Sequence, residues 1–349
     1  MTPEAWKKVG NNKIIFFFSV LLIGVLFNPT TTTATDITEQ LHKPVRNPFS
    51  LSSRDEADRL VRLGEEKLQN LSADKAISYL SKALEIYHSI GDLKAQGLTY
   101  DLLSRSYVQL GWSKEAEDAM RRRLAIARDL KDFRGQIFGL NNVGTLLLHK
   151  GETLAAVKMF DEAHNIANGI DSVEGKGLSL SNLGLVNFRL GHYNKAIKLY
   201  ERAVIYRRQG NNPIGEANTL NHLGDAYSSL NKYQETIGTY GAALRIAKST
   251  RDRVNQLRAI DGLVRAHSLA KRYDRAFELL EKRLAIAQDL QNIREQLKSF
   301  EEYAKLYEQL GNYSTASNFY QRAVTLARSL EDSKQELILL DKITRISHR

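Results

Sequence analysis

The sequence has no cysteine, which excludes disulfides, thiolate metal sites and cysteine nucleophiles. Proline is almost as scarce: beyond residue 50 only Pro213 occurs, so little interrupts helix formation over most of the chain. Long apolar runs are also missing, apart from Ile14 to Phe27, which Ser19 and Gly24 interrupt. Catalytic signatures are absent as well. There is no Gly-x-Ser-x-Gly elbow and no His-Glu-x-x-His. Gly175-Lys176-Gly177 lacks the spacing of a phosphate-binding loop and the Ser or Thr that should come after it. His222 and Asp225 share one helix face at i, i+3, but no third ligand lies near them in sequence. Neither an enzymatic activity nor a cofactor or metal is expected.

Charge narrows the partners only in a general way. The formal net charge of +10 favours anionic partners. Acids alternate with bases along the chain, however, and the longest basic run is Arg121 to Arg123. A nucleic-acid partner is therefore not expected.

What the sequence does hold is a period. From Thr236, steps of 40 residues land on Ala196, Ala156, Ala116 and Ala76 in one direction and on Ala276 and Ala316 in the other. Four residues after each stands a bulky side chain: Leu80, Met120, Phe160, Tyr200, Tyr240, Leu280 and Tyr320. Twelve residues before each stand Gly64, Ser104, Gly144, Gly184, Gly224, Val264 and Ala304, mostly small, where two helices would cross. Gly111, Gly151, Gly191 and Gly311 recur where the first helix of each pair should turn into the second, with Asn231 and Lys271 in the same slot. Asp92, Asp132 and Asp252 precede helix starts, where an acid complements the helix dipole.

Leu220-x2-Leu223-Gly224-x2-Tyr227, followed by Tyr233, Thr236, Tyr240 and Ala243, resembles the tetratricopeptide repeat. The resemblance spans roughly residues 54 to 330, and the 40-residue period is similar to the longer-helix class seen in Pins/LGN-type receptors and bacterial repeat proteins. It implies an all-α, right-handed superhelical solenoid with seven repeats over 54–332. In the first repeat helix A is expected at about 54–69 and helix B at about 74–90. The segment 333–349 should cap the end, with Leu337, Leu340, Ile343 and Ile346 on one stripe. Ser53 to Glu56 reads as a capping box opening the first helix. Two departures stand out. Arg123 and Arg283 occupy a slot the family fills with a small residue, both within Arg-Leu-Ala-Ile-Ala. Val264 and Thr236 depart from the packing pattern, which predicts looser packing around the sixth repeat.

The resemblance also implies where a ligand would bind. The A helices of such a fold line a concave groove, and in peptide-binding members an asparagine there grips the ligand backbone, its amide both donating and accepting. The matching positions hold Asn142, Asn182 and His222. Neighbouring inward positions hold Asn218, Arg258 and Lys298, and also Arg265 and Lys305. The implied function is a non-catalytic scaffold or adaptor of the cell envelope, binding a protein or peptide whose acidic groups meet these cations. The plainer reading of each cation is a solvated helix residue paired with a nearby acid. Binding of an anionic polymer or membrane surface through net charge, and regulatory sensing of a peptide, remain open alternatives.

The first 35 residues read as an export signal. Lys7, Lys8 and Lys13 precede the apolar run, and small residues come after Asn28-Pro29. A run of about 14 residues spans only about 21 Å as a helix, short of the roughly 30 Å of a bilayer core. Cleavage near residue 35 is thus the expectation, giving a periplasmic or secreted protein. A retained anchor at 14–27, the one route to a membrane, and a cytoplasmic protein with an apolar N-terminus are the alternatives. Residues 36–53, with Pro44 and Pro48, read as a linker. N-terminal sequencing of the protein from its native source should find a mature end near Thr35 or Asp36. An intact Met1 would contradict cleavage.

Overall fold

The computed structural model describes residues 48–347, and the side chains of 52–347. The expected signal at 1–35, the linker as far as residue 47 and the last two residues lie outside that range. Among the described residues there are 15 α-helices and no strand. In chain order they are α1 (Pro48–Gln69), α2 (Ala73–Ile90), α3 (Leu93–Gln109), α4 (Ser113–Asp129), α5 (Phe133–His149), α6 (Thr153–Gly169), α7 (Val173–Arg189) and α8 (Tyr193–Gln209). They continue with α9 (Pro213–Ser229), α10 (Tyr233–Ser249), α11 (Arg253–Leu269), α12 (Tyr273–Asp289), α13 (Ile293–Gln309), α14 (Tyr313–Ser329) and α15 (Ser333–Ser347). Odd-numbered helices are the A helices and even-numbered ones the B helices. The first helix starts upstream of the expected boundary at 54. Proline is tolerated at a helix start because the N–H it lacks would have no intrahelical partner. Residues 48–53 are therefore helical rather than linker, and Ser53 to Glu56 lies inside α1. Glu56 instead holds Arg59 by two bonds of 2.7 Å.

Helix starts from α2 to α15 fall every 20 residues, because every turn has the same geometry. One residue per turn takes a left-handed backbone, from Leu71 and Gly91 through to Gly311 and Glu331. The N–H of the residue after it then reaches back to the preceding helix, as Asp92 to the Tyr87 carbonyl (3.0 Å) and Trp112 to that of Tyr107 (2.9 Å). Glycine is not required at this slot. Lys131, Asp171, Arg251, Lys271 and Gln291 adopt it at φ between 50° and 56°, at a cost of roughly 1–2 kcal/mol each. The expected corners lie within repeats; the left-handed turn occurs between repeats as well. The turns differ in how the next helix is capped. Asp92, Asp132, Ser172, Asn212, Asp252, Asn292 and Asp332 each cap an A helix, the side chain accepting from an N–H three residues on. Among the B helices, only Asn312 makes the same bond.

The interior is built from interlocking sizes. An added methyl on Gly144 would lie 2.6 Å from the Phe160 ring, on Gly184 2.6 Å from Tyr200, and on Gly224 2.8 Å from Tyr240. Each glycine thus admits the bulky side chain sixteen residues later, on the paired B helix. Ala76, Ala116, Ala156, Ala196, Thr236, Ala276 and Ala316 are all buried beneath. The sixth repeat is not loose. Val264 is buried, Thr236 donates its hydroxyl to the Lys232 carbonyl (2.7 Å), and the Tyr240 ring also closes onto Gly262. Adjacent helices pack along the array, and α5, α7, α9 and α11 also touch one another in succession. The A helices therefore form the inner wall. At the end of the array α15 buries Leu339 and Ile346, and partly buries Ile343, against α13 and α14, while Leu337, Ile338 and Leu340 face solvent. The expected stripe is thus shifted, and its last helix leaves an apolar outer face.

Gly144→Ala should destabilise the fold by about 1–3 kcal/mol through overpacking. The loss should shrink when combined with Phe160→Leu, as urea unfolding of the four proteins of the cycle would show. Additive losses would contradict the interlock.

Candidate binding site

The expected ligand-binding residues occupy the inner wall unevenly. Asn142 and Asn218 are exposed. Asn182 is half-buried, and its amide already donates to the Asn141 side chain on α5 (2.8 Å). It belongs to a polar seam that joins consecutive A helices. Ser181 meets Thr219 at 3.2 Å, and Asn221 donates to the side-chain oxygen (3.0 Å) and backbone carbonyl (3.2 Å) of Asn255. Apart from Asn182, these seam residues are buried, where apolar packing alone would leave the register free to slide. One of the two asparagines expected to grip a ligand backbone is therefore part of this seam.

The cations expected to receive carboxylates already have acids of their own. Arg258 donates to Asp225 (2.8 Å) and sets its guanidinium 2.8 and 3.2 Å from the two His222 ring nitrogens, one of which accepts, and Arg265 lies 3.9 Å from Asp225. Lys305 is 2.6 Å from Glu302, and Lys298 is 3.6 Å from Glu295. His222 and Asp225 are thus linked through Arg258. Tyr240 also donates its hydroxyl to Asp225, and Tyr200 stacks on the His222 ring with centroids 5.7 Å apart. Burial, reinforced by the Arg258 charge, lowers the His222 pKa to about 4. Burial first, then the Asp225 charge, raises that of Tyr240. At neutral pH the cluster is a neutral imidazole and one carboxylate shared by two arginines and a phenol.

Two cavities open on the inner side. One, of about 300 Å³, is bordered by Arg265, Ser268, Leu269, Lys305 and Gln309, and so joins two of the expected residues. The other, of about 390 Å³, lies between α3 and α5, with Asn142 at its edge and Arg123 of α4 lining it. Sequence reasoning noticed Arg123 as a departure from pattern without making it a site. The available signal was an arginine in an alanine slot followed, at residues 135 and 139, by glycines. Its counterpart Arg283 is fully buried and bonded to Asp261 and Glu295. Burial opposes its charge, but the hydrogen bonds and charges of those carboxylates outweigh it and raise its pKa.

The lowered His222 pKa sets a pH dependence. Between its folded value of about 4 and the unfolded value of about 6.5, the unfolded chain binds the extra proton. The stability from this group is therefore complete above about pH 6.5 and lost as the pH falls towards 4, by up to about 3 kcal/mol. Thermal melts should show His222→Gln falling less steeply over that window than wild type. Parallel pH profiles would contradict the assignment.

Comparisons with known proteins agree with this architecture. Models described as tetratricopeptide repeat match residues 137–210, 215–289 and 297–330. No curated protein sequence matches the chain. Among solved structures, the apo form of RapI superposes with a TM-score of 0.61 at 15% identity, covering 79% of this chain and 99% of that one. The apo form of the quorum sensor NprR from B. thuringiensis does so with a TM-score of 0.61 at 18% identity, covering 76% and 75%. A signal transduction ATPase with a tetratricopeptide repeat sensor, from Pyrococcus horikoshii, gives 0.62 at 16% identity; 84% of this chain matches 45% of that one. These likenesses are of fold. With matching family models over more than half its length and the repeat geometry above, the chain belongs to the tetratricopeptide repeat family.

Proposed function

We propose that the chain is a non-catalytic interaction protein whose inner wall receives an extended segment of a partner protein. The observation that carries this reading is the pair of open cavities on the A-helix side, edged by Asn142, Arg265 and Lys305. A wall of parallel helices offers a long, regularly spaced surface, which suits a chain segment better than a compact small molecule. With a signal at residues 1–35, this scaffold or adaptor would act in the cell envelope. A second reading, regulatory sensing of a peptide, has one specific support: NprR is a quorum sensor and the Pyrococcus horikoshii ATPase has a tetratricopeptide repeat sensor. The two readings place the ligand on the same wall and differ in what binding does.

Co-purification from the native source, wild type against Asn142→Ala/Asn218→Ala/Arg265→Ala/Lys305→Ala, tests the shared claim. Loss of one defined partner with unchanged helicity and melting is expected. An unchanged partner set would move recognition off the inner wall.

A further inference from the structure

The chain contains the same arginine site twice, 160 residues apart, and only one copy is filled. Arg283 on α12 corresponds to Arg123 on α4, Asp261 to Asp101, Asn292 to Asp132, Glu295 to Gly135 and Ser299 to Gly139. In the later copy every guanidinium nitrogen is bonded. Nε donates to Asp261 (2.5 Å), Nη1 to the Glu295 carbonyl and the Ser299 hydroxyl (both 2.7 Å), and Nη2 to the Glu295 carboxylate (2.8 Å) and Asp261 (3.4 Å). That set meets the planar fork of a guanidinium in full.

The earlier copy keeps the arginine and loses the plug. Arg123 makes one side-chain contact, at 3.4 Å, with Asp132, whose other oxygen is committed to capping α5 at Gly135 (2.8 Å). Asp101 and Asp132 line the same space and offset its charge, yet the remaining guanidinium N–H groups have no protein acceptor. Where Glu295 and Ser299 would stand there is glycine. A methyl built on Gly135 would meet the Asp132 carboxylate first and lie 2.9 Å from Arg123 Nη2, so a side chain here would displace Asp132 and stand beside the guanidinium. The result is the cavity of about 390 Å³.

We propose that this cavity receives a carboxylate of the partner segment, which takes at Arg123 the place that the chain's own Glu295 takes at Arg283. The inference rests on the reading of the inner wall as the partner surface and adds the chemistry recognised at its N-terminal end. The cations first expected to meet acidic groups are held by Asp225, Glu295 and Glu302. Arg123 has an acid of its own as well, Asp132 at 3.4 Å, but its counterpart shows, within the same molecule, what a fully satisfied site looks like. The carboxylate belongs either to an Asp or Glu side chain or to a chain terminus.

Isothermal titration with hexaglutamate at low ionic strength tests this, with C-terminally amidated hexaglutamine, which carries no carboxylate, as control. Wild type should bind the acidic peptide and not the control. Arg123→Gln should weaken binding at least tenfold. So should Asp132→Asn/Gly135→Glu/Gly139→Ser, which transplants the plug of the later copy. Arg123→Lys, which keeps the charge and loses the fork, gives an intermediate affinity and guards against a plug variant that fails to fold. Amidation of the peptide's C-terminus leaves affinity unchanged if a side-chain carboxylate enters, and abolishes it if the terminus does. No binding to wild type, or equal binding to wild type and Arg123→Gln, overturns the proposal. In that event, loss of the native partner from the inner-wall variant would still uphold the broader reading.

Discussion

The contact on which the structure depends is the insertion of a large side chain from each B helix against a small residue on its paired A helix. Where the pair is Gly144 with Phe160, Gly184 with Tyr200 or Gly224 with Tyr240, there is no space for even one more carbon. This fixes how closely each pair of helices approaches and leaves its apolar faces to be covered by the next pair. A core of this kind has no centre; it is a ribbon whose stability comes from neighbours. The strict 20-residue spacing of helix starts is a consequence, since a turn of different length would move a bulky residue off its glycine.

Because the apolar layer does not distinguish one register along the inner wall from another, polar groups do so. Asn141, Asn182, Asn221 and Asn255 bond between successive A helices, and Arg283 with Asp261 and Glu295 joins α12, α11 and α13. Taking charges out of water is costly unless every hydrogen bond is made, and Arg283 makes all of them. Arg123 does not, in an otherwise equivalent position. An unfilled copy of a site beside a filled one separates the parts of the wall that hold the array together from the part open to a partner.

Most of the fold was legible because period and size are visible in sequence. The alanines from Ala76 to Ala316 and the glycines opposite the rings sit where spacing placed them. The corners were less legible: Lys131, Arg251 and Lys271 take a left-handed backbone that their identity does not announce, since the closing hydrogen bonds come from the preceding helix. The stripe on α15 was misread for a related reason. Leu337 and Leu340 have the right spacing, but the packed face is set by where α14 lies, and that selects Leu339 and Ile346. The inner wall was the hardest to read. The plainer reading, pairing along one helix, covers Lys298 with Glu295 and Lys305 with Glu302, but periodicity did not place Asp225, which reaches Arg258 from a neighbouring helix. Arg123 was visible as an exception to the pattern, and its meaning emerges only beside Arg283.

Hydrogen–deuterium exchange on the chain with and without its purified partner bears most directly on the central claim. Protection should appear on the inner-wall helices, strongest in α3 and α5 around Asn142, with the B helices little changed. Protection confined to the B helices or to the exposed face of α15 would contradict recognition by the inner wall.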